Sequence, residues 1–194
     1  MSKKVPLDKL YAIRYRAKAY SAKRLLNPEA ERAFLNFLIR ALGENVFLIS
    51  TRLGLDIYYL GKVNCSRFIT ANFWLFQTVK DSDKNRFYII ENQGAQVLDF
   101  FDNAVDSFSR HPQLFLSCCK KLILKFNESG TRTLLNQRLY TCFDRQLNRL
   151  TTEDRIPFAE KVKQLRKRYE QPFLNTDNIT KQLLKEFSLR NAVN

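Results

Sequence analysis

The chain has few of the residues on which most catalytic and metal sites depend. Its 194 residues include one histidine, His111, and four cysteines without C-x-x-C spacing. His111 stands directly before a proline, which favours a loop or helix start over a catalytic role. Zinc sites need paired, closely spaced ligands. We therefore expect no metal and no cofactor, and we expect the cysteines to be buried free thiols in a reducing compartment.

Sequence motifs for common enzyme chemistry are also missing. There is no glycine-rich phosphate loop, no H-E-x-x-H and no EF-hand pattern. The segment DFFDNAVD places Asp99, Asp102 and Asp106 on one helical face, where carboxylates could hold a divalent metal for phosphoryl chemistry. Metal enzymes usually gather ligands from several elements, so a solvated acidic stripe or a docking strip for a basic partner is the favoured interpretation. We predict that the protein is not an enzyme.

Glycine and proline are scarce, with five of each. All-β folds need many turns and usually carry more of both. The apolar runs are too short for a membrane span, and no apolar stretch follows the first lysines. We predict one all-α domain over residues 1–194, a bundle of about seven or eight helices with basic N- and C-terminal helices and a subdivision at 1–110 and 111–194 as the alternative. We expect a cytoplasmic protein.

Periodicity and capping residues set the predicted helices. Asn27 as N-cap, Pro28 at the first position and Gly43 as C-cap bound a helix over 28–42. Two segments, NVFLIS and RFYII, are the best strand candidates, but neither has a hairpin partner with turn chemistry. The other predicted helices span 6–26, 62–80, 84–109, 112–127, 131–150, 157–170 and 177–189, and an apolar segment covers 44–60.

Positive charge is in excess and unevenly distributed. The formal net charge is +14, and counting along the chain gives +6 for residues 1–30, zero for 31–110 and +8 for 111–194. A basic surface raises the local concentration of polyanions. This distribution predicts nucleic-acid contacts near the two ends of the chain, although a protein that is merely basic would share it.

Three basic segments supply the candidate nucleic-acid-binding residues. Lysine and arginine bind phosphates, and tyrosine can stack on bases of single strands. No helix-turn-helix, RNP motif or zinc finger is present, so we expect contacts with the backbone rather than base readout. The candidates are Arg14, Arg16, Lys18, Tyr20, Lys23 and Arg24; the row Arg138, Arg145 and Arg149; and Lys161, Lys163, Arg166, Lys167 and Arg168.

These observations favour a non-catalytic helical protein that binds nucleic-acid backbone, with RNA or single-stranded DNA as the favoured partner. It would be a small accessory subunit among other protein subunits of a ribonucleoprotein or nucleoprotein complex. By analogy of class alone, small helical subunits of CRISPR effector complexes and helical accessory proteins of reverse transcriptases share this profile. The alternative is an adaptor that docks acidic proteins. Weaker alternatives are attachment to anionic membranes through 157–170 and an enzyme using the aspartate stripe.

Overall fold

A four-stranded antiparallel sheet with helices on both faces forms the fold. The computed structural model describes residues 7–17, 24–77, 87–127 and 133–169, and in these ranges it has six α-helices. The class is therefore α+β, and the predicted all-α bundle of seven or eight helices is wrong. The elements are β1 Leu10–Ala17, α1 Pro28–Leu42, β2 Val46–Thr51, β3 Gly54–Leu60, α2 Ser66–Phe73, β4 Phe87–Gln93, α3 Gln96–Ser109, α4 Pro112–Asn127, α5 Leu134–Thr152 and α6 Ala159–Tyr169.

The strand order is β2-β3-β1-β4, so the N-terminal strand lies inside the sheet. β1 pairs with β3 on one side, with Leu10 opposite Leu60, and with β4 on the other, with Tyr11 opposite Gln93. β2 and β3 form a hairpin in which Thr51 lies opposite Gly54. Strands β2 and β4 are therefore the edges of this sheet.

Each sheet face packs on its own group of helices, which gives two cores and three layers. Because side chains alternate along a strand, successive residues of β1 and β2 enter opposite cores. The first core joins the sheet to α3, α4 and α5 and includes Leu10, Ala12, Phe47, Ile49, Tyr58, Phe101, Phe115, Phe126 and Phe143. The second joins it to α1 and α2 and includes Tyr11, Ile13, Tyr15, Phe34, Leu38, Leu48, Ile57, Tyr59, Ile69 and Phe73.

The helix over 28–42 is confirmed with the caps that the sequence indicates. The Asn27 side chain accepts a hydrogen bond from the backbone N–H of Ala30 at 2.7 Å. Pro28 is the first helical residue, and the N–H of Gly43 donates to the carbonyl of Ile39. Gly43 has a φ of 94°, a conformation in which glycine is favoured. Neighbouring residues are thus enough to predict the bounds of a helix that has capping residues at both ends.

The predicted helix over 6–26 is wrong because residues 10–17 form β1. A helical wheel places Tyr11, Ala12 and Tyr15 on one arc, but the strand alternates Tyr11, Ile13 and Tyr15 on one face. The other face carries Leu10, Ala12, Arg14 and Arg16. A helix and a strand would both have an apolar stripe in this segment. The strand is more favourable because the sheet buries both of its faces.

Two further helix predictions needed correction. The predicted helix over 84–109 contains β4, a turn at Gly94 and α3, as the sheet also claims this segment. Of the helix predicted over 62–80, the described residues 62–77 form only the shorter α2. The segment 44–60 holds β2 and β3. Residues 46–50 of the strand candidate NVFLIS lie in β2, and residues 87–90 of the candidate RFYII lie in β4. Strands covered on both faces have continuous apolar runs that periodicity cannot separate from helix.

Gly54 makes the β2–β3 hairpin possible. The two turn residues are Arg52 and Leu53, which lack the Asn-Gly or Asp-Gly chemistry by which such turns are recognised. Gly54 has a φ of 141°, and a Cβ atom there would lie 2.0 Å from the carbonyl oxygen of Tyr15. Only glycine fits this approach of β3 to β1.

The C-terminal helices follow their predictions to within a few residues. α4 spans 112–127 as predicted, α5 begins at Leu134 after the N-cap Thr133, and α6 begins at Ala159. The predicted helix over 177–189 lies outside the described residues. Among the residues that the structure describes, no helix is long and apolar enough to cross a membrane.

Candidate polyanion-binding groove

Three adjoining concavities form a groove between the start of α1, the β2–β3 turn and α4. The central one has a volume of about 280 Å³ and shares Arg24 and Lys121 with one neighbour, of about 230 Å³. It shares Arg52 and Gln113 with the other, of about 570 Å³. We call this surface the cationic groove. Its basic lining residues are Arg24, Arg32, Arg52, Arg110, Lys121 and Lys125.

The fold brings these residues together from distant parts of the sequence. Arg24 precedes α1, Arg52 lies in the β2–β3 turn, and Lys121 and Lys125 lie one helical turn apart on α4. Pro28 at the start of α1 and Pro112 at the start of α4 also line the groove. The N-termini of these long helices add partial positive charge.

Glu31 is the single acidic residue among the groove's described lining residues, and it is already paired. Its Oε1 lies 3.0 Å from Nζ of Lys125, and its Oε2 accepts a hydrogen bond from Nζ of Lys121. Lys121 also donates to the carbonyl oxygen of Ser50 at 2.6 Å. Burial lowers the pKa of Lys121 despite the nearby Glu31 carboxylate. This buried cluster holds α4 against α1 and leaves one net positive charge.

Three of the four arginines of the groove are available to a ligand, while Arg110 pairs with Asp106. Arg24, Arg32 and Arg52 are exposed, and none forms an ion pair with a carboxylate of the described residues. Each guanidinium presents five N–H donors in a planar fork that suits phosphate oxygens. A groove lined by these arginines, with its one carboxylate already paired, is an electropositive surface.

The N-terminal candidate residues divide into three groups. Arg14 and Arg16 lie on β1, where both bind Asp56 and Arg14 is only 8% exposed. The predicted surface helix is wrong for this segment, because it is a buried strand in which both arginines pair inside the fold. Their role as nucleic-acid contacts stays a prediction. Lys18, Tyr20 and Lys23 lie outside the described residues. Arg24 lines the cationic groove.

The predicted arginine row on α5 faces the aspartate stripe on α3. Arg145 pairs with Asp102, and Arg149 pairs with Asp106, which also binds Arg110 and Arg155. Two features that the sequence offers separately, a phosphate-binding row and an acidic stripe, thus neutralise each other across a helix–helix interface. Arg138 is exposed at the N-terminal end of α5.

The basic residues of α6 remain mostly on the surface. Lys161, Lys163, Lys167 and Arg168 are exposed, while Arg166 pairs with Asp144 of α5. Val162 is buried in the first core, and α6 packs against α4. Helix α4 therefore contacts α6 and also lines the cationic groove.

Sequence reasoning missed Arg32, Arg52, Arg110, Lys121 and Lys125. Arg32, Arg52 and Arg110 belong to the stretch 31–110, whose net charge is zero. Its acidic residues include Asp56, Asp102 and Asp106, which are used in internal ion pairs. Net charge over a segment therefore conceals exposed arginines, and only the fold shows which charges are already paired.

No family model, curated protein or solved structure matches this chain. Among the described residues, no group of three or more histidine, cysteine, aspartate or glutamate side chains could hold a metal ion.

Proposed function

We propose that the protein binds the phosphate backbone of a nucleic acid in the cationic groove. The observation that carries this proposal is the set of exposed arginines, Arg24, Arg32 and Arg52, beside a buried carboxylate that two lysines already neutralise. Phosphate contacts of this kind position a nucleic acid without reading its sequence. The exposed basic residues of α6, a helix that packs against α4, are a second candidate contact surface.

A role as an accessory subunit of a larger nucleoprotein assembly is part of this proposal. The analogy with small all-helical subunits no longer supports it, because the fold contains a sheet. Its support is the basic surface and the predicted lack of catalytic chemistry. An adaptor for acidic proteins would use the same arginines and is the competing outcome of the experiment below.

The experiment measures the affinity of the full chain for a labelled RNA and DNA, single- and double-stranded, across a salt series. Affinity should fall steeply with salt because binding releases counterions. The double variant Arg24→Ala/Arg52→Ala should weaken binding to all sequences and reduce the salt slope by about one unit for each lost phosphate contact. Lys121 is left intact because it also stabilises the fold.

The matched control is Arg40→Ala/Arg67→Ala, which removes the same charge from exposed positions outside the groove that are not among the candidate binding residues. It should change affinity and salt slope much less than the groove variant. Equal effects of the two variants would indicate general attraction rather than a groove. Binding that resists salt, or a protein partner captured after nuclease treatment in an Arg52-dependent manner, would overturn the proposal.

A further inference from the structure

Phe158, which directly precedes α6, has an unusual backbone conformation. Its φ is 55°, in the left-handed region that bulky side chains rarely adopt. The other non-glycine residue with positive φ among those described is Asp154, and aspartate tolerates this region better. Hydrogen bonds on both sides of Phe158 hold its segment: the N–H of Arg155 donates to Leu150, and the N–H of Val162 donates to Phe158. The surrounding structure thus maintains a disfavoured conformation.

Burial of the Phe158 ring does not offset the energetic cost of this backbone conformation. Phe158 is 48% exposed, and it belongs to neither core. The sequence places it in an apolar stripe with Val162 and Leu165, but α6 begins one residue later and Phe158 lies outside that stripe. Strained residues whose side chains gain nothing from packing are candidates for function.

A lysine lies over the ring, and the helix that follows Phe158 is basic. Nζ of Lys161 lies 5.4 Å from the ring centroid, and Lys163 and Lys167 are exposed along the same helix. Glu160 is the acidic residue of this helix, and its contact with Lys163 is 4.0 Å long between two highly exposed side chains. An exposed aromatic ring beside lysines is the combination by which proteins bind single strands: bases stack on the ring and phosphates contact the cations.

We propose that Phe158 stacks on an unpaired base of a single-stranded nucleic acid whose backbone contacts Lys161 and its neighbours on α6. This inference rests on the proposed function, because it assumes that the partner is a nucleic acid. It adds that single strands are bound differently from duplexes. In a duplex the faces of the bases are already stacked, so Phe158 has no base to contact.

Phe158→Gly separates a stacking role from a structural one. Glycine adopts positive φ without strain, so the variant should be at least as stable to heat as the wild type. Its affinity for a single-stranded oligonucleotide should nevertheless fall about tenfold or more. Affinity for a duplex of the same sequence should not change. Phe158→Asn, which also tolerates positive φ, provides a second variant without the ring, and Phe158→Tyr should retain the affinity.

Tyr88→Ala is the matched control, since Tyr88 is an aromatic residue of similar exposure on β4. It should leave single-strand affinity unchanged. Equal losses for single strands and duplexes in Phe158→Gly, or no loss at all, would overturn the stacking proposal while leaving the groove in place. Loss of single-strand binding in Phe158→Gly but not in Arg24→Ala/Arg52→Ala would instead overturn the groove. Both proposals fail if the wild type does not bind nucleic acid but binds phosphatidylserine vesicles in a Phe158-dependent manner.

Discussion

The Nε atom of Arg14 lies 2.7 Å from Oδ1 of Asp56, its direct neighbour in the β1–β3 register. Arg14 also donates to the carbonyl oxygen of Phe100 at 3.0 Å, and its guanidinium carbon lies 3.5 Å from the centroid of the Phe100 ring. Arg16 donates to the other oxygen of Asp56 at 3.1 Å. Although burial opposes the charge of Arg14, Asp56 raises its pKa above the ordinary value. Of two arginines that resemble ligand contacts in the sequence, both therefore bind Asp56 within the sheet, and Arg14 also joins the sheet to α3.

Removal of Asp56 should be strongly destabilising. Asp56→Ala leaves two guanidinium groups buried without their carboxylate, so the free energy of unfolding should fall by about 3–5 kcal/mol in urea denaturation. The double variant Arg14→Met/Asp56→Leu removes both the buried charge and its partner, so its free energy of unfolding should fall much less. A loss below about 1 kcal/mol in Asp56→Ala would contradict this account.

The nucleic-acid affinity of folded Arg14→Met should equal that of the wild type. Arg14 is buried and faces α3 rather than the cationic groove, so its removal deletes no phosphate contact. The measurement is a salt series on the same labelled RNA, at a temperature where the variant is folded. A reduced salt slope would show that Arg14 contacts the ligand after all.

Asp106 should make stability depend on acid pH. Burial tends to raise its pKa, but hydrogen bonds from Arg110 and Arg155 outweigh burial and lower it. The stabilisation is therefore complete above the ordinary aspartate pKa of about 3.9 and is lost as pH falls through the lower folded-state value. At pH 7, Asp106→Asn should lower the free energy of unfolding by about 1–2 kcal/mol, a modest figure because its arginine partners are exposed to solvent.

The difference between the wild type and Asp106→Asn should shrink as the pH is lowered below about 4 in urea denaturation. Asp99→Asn is the matched control, because Asp99 is exposed on the same helix and has no ion pair among the described residues. It should change stability by less than about 0.5 kcal/mol. A difference that grows toward acid pH would contradict the ion-pair explanation.

Gly54 and Gly43 should respond differently to alanine. Gly54→Ala places a Cβ atom 2.0 Å from the carbonyl oxygen of Tyr15 and 2.6 Å from Nη1 of Arg16. The cost should be on the order of 3 kcal/mol or more, because strain and overlap add. Gly43 has nothing within 4 Å of that position, so Gly43→Ala should cost about 1–3 kcal/mol from its backbone conformation alone. Thermal denaturation of both variants tests this ranking, and the reverse order would exclude the β1–β3 contact as its cause.

Cys65 should be the one thiol that reacts rapidly with Ellman's reagent in the folded protein. Cys118, Cys119 and Cys142 are buried, whereas Cys65 is partly exposed. Burial raises the pKa of Cys118 to about 11, so about a thousandth of it is thiolate at pH 8. Cys65→Ser should remove the rapid phase, and all four wild-type thiols should react in denaturant. More than one rapid thiol in the native state would indicate that a core opens readily.

The sequence predicts local structure well where the signal is local. Asn27, Pro28 and Gly43 bound α1 because capping depends on neighbouring residues, and the amphipathic C-terminal helices follow their periodicity. The sheet was missed because β1 meets β3 and β4 only through long-range pairing, and Tyr11 and Tyr15 suit a helical stripe as well as a strand face. The cationic groove could not be predicted for a similar reason, because only the fold shows which carboxylates form internal ion pairs and which arginines they leave unpaired. Arg145 and Arg52 look alike in the sequence, but only Arg145 has an aspartate beside it.

The position of β1 inside the sheet determines how much of the chain must be synthesised before this strand can pair on both sides. Among the described strands it comes first in the chain, yet its two neighbours end 43 and 76 residues after it, at Leu60 and Gln93. A nascent chain shorter than this carries an apolar strand with an unpaired edge, which is prone to association. Pairing across such separations also makes folding slow relative to helical proteins. We expect nascent chains that end before residue 87 to associate with chaperones, and this association should stop once β4 has emerged.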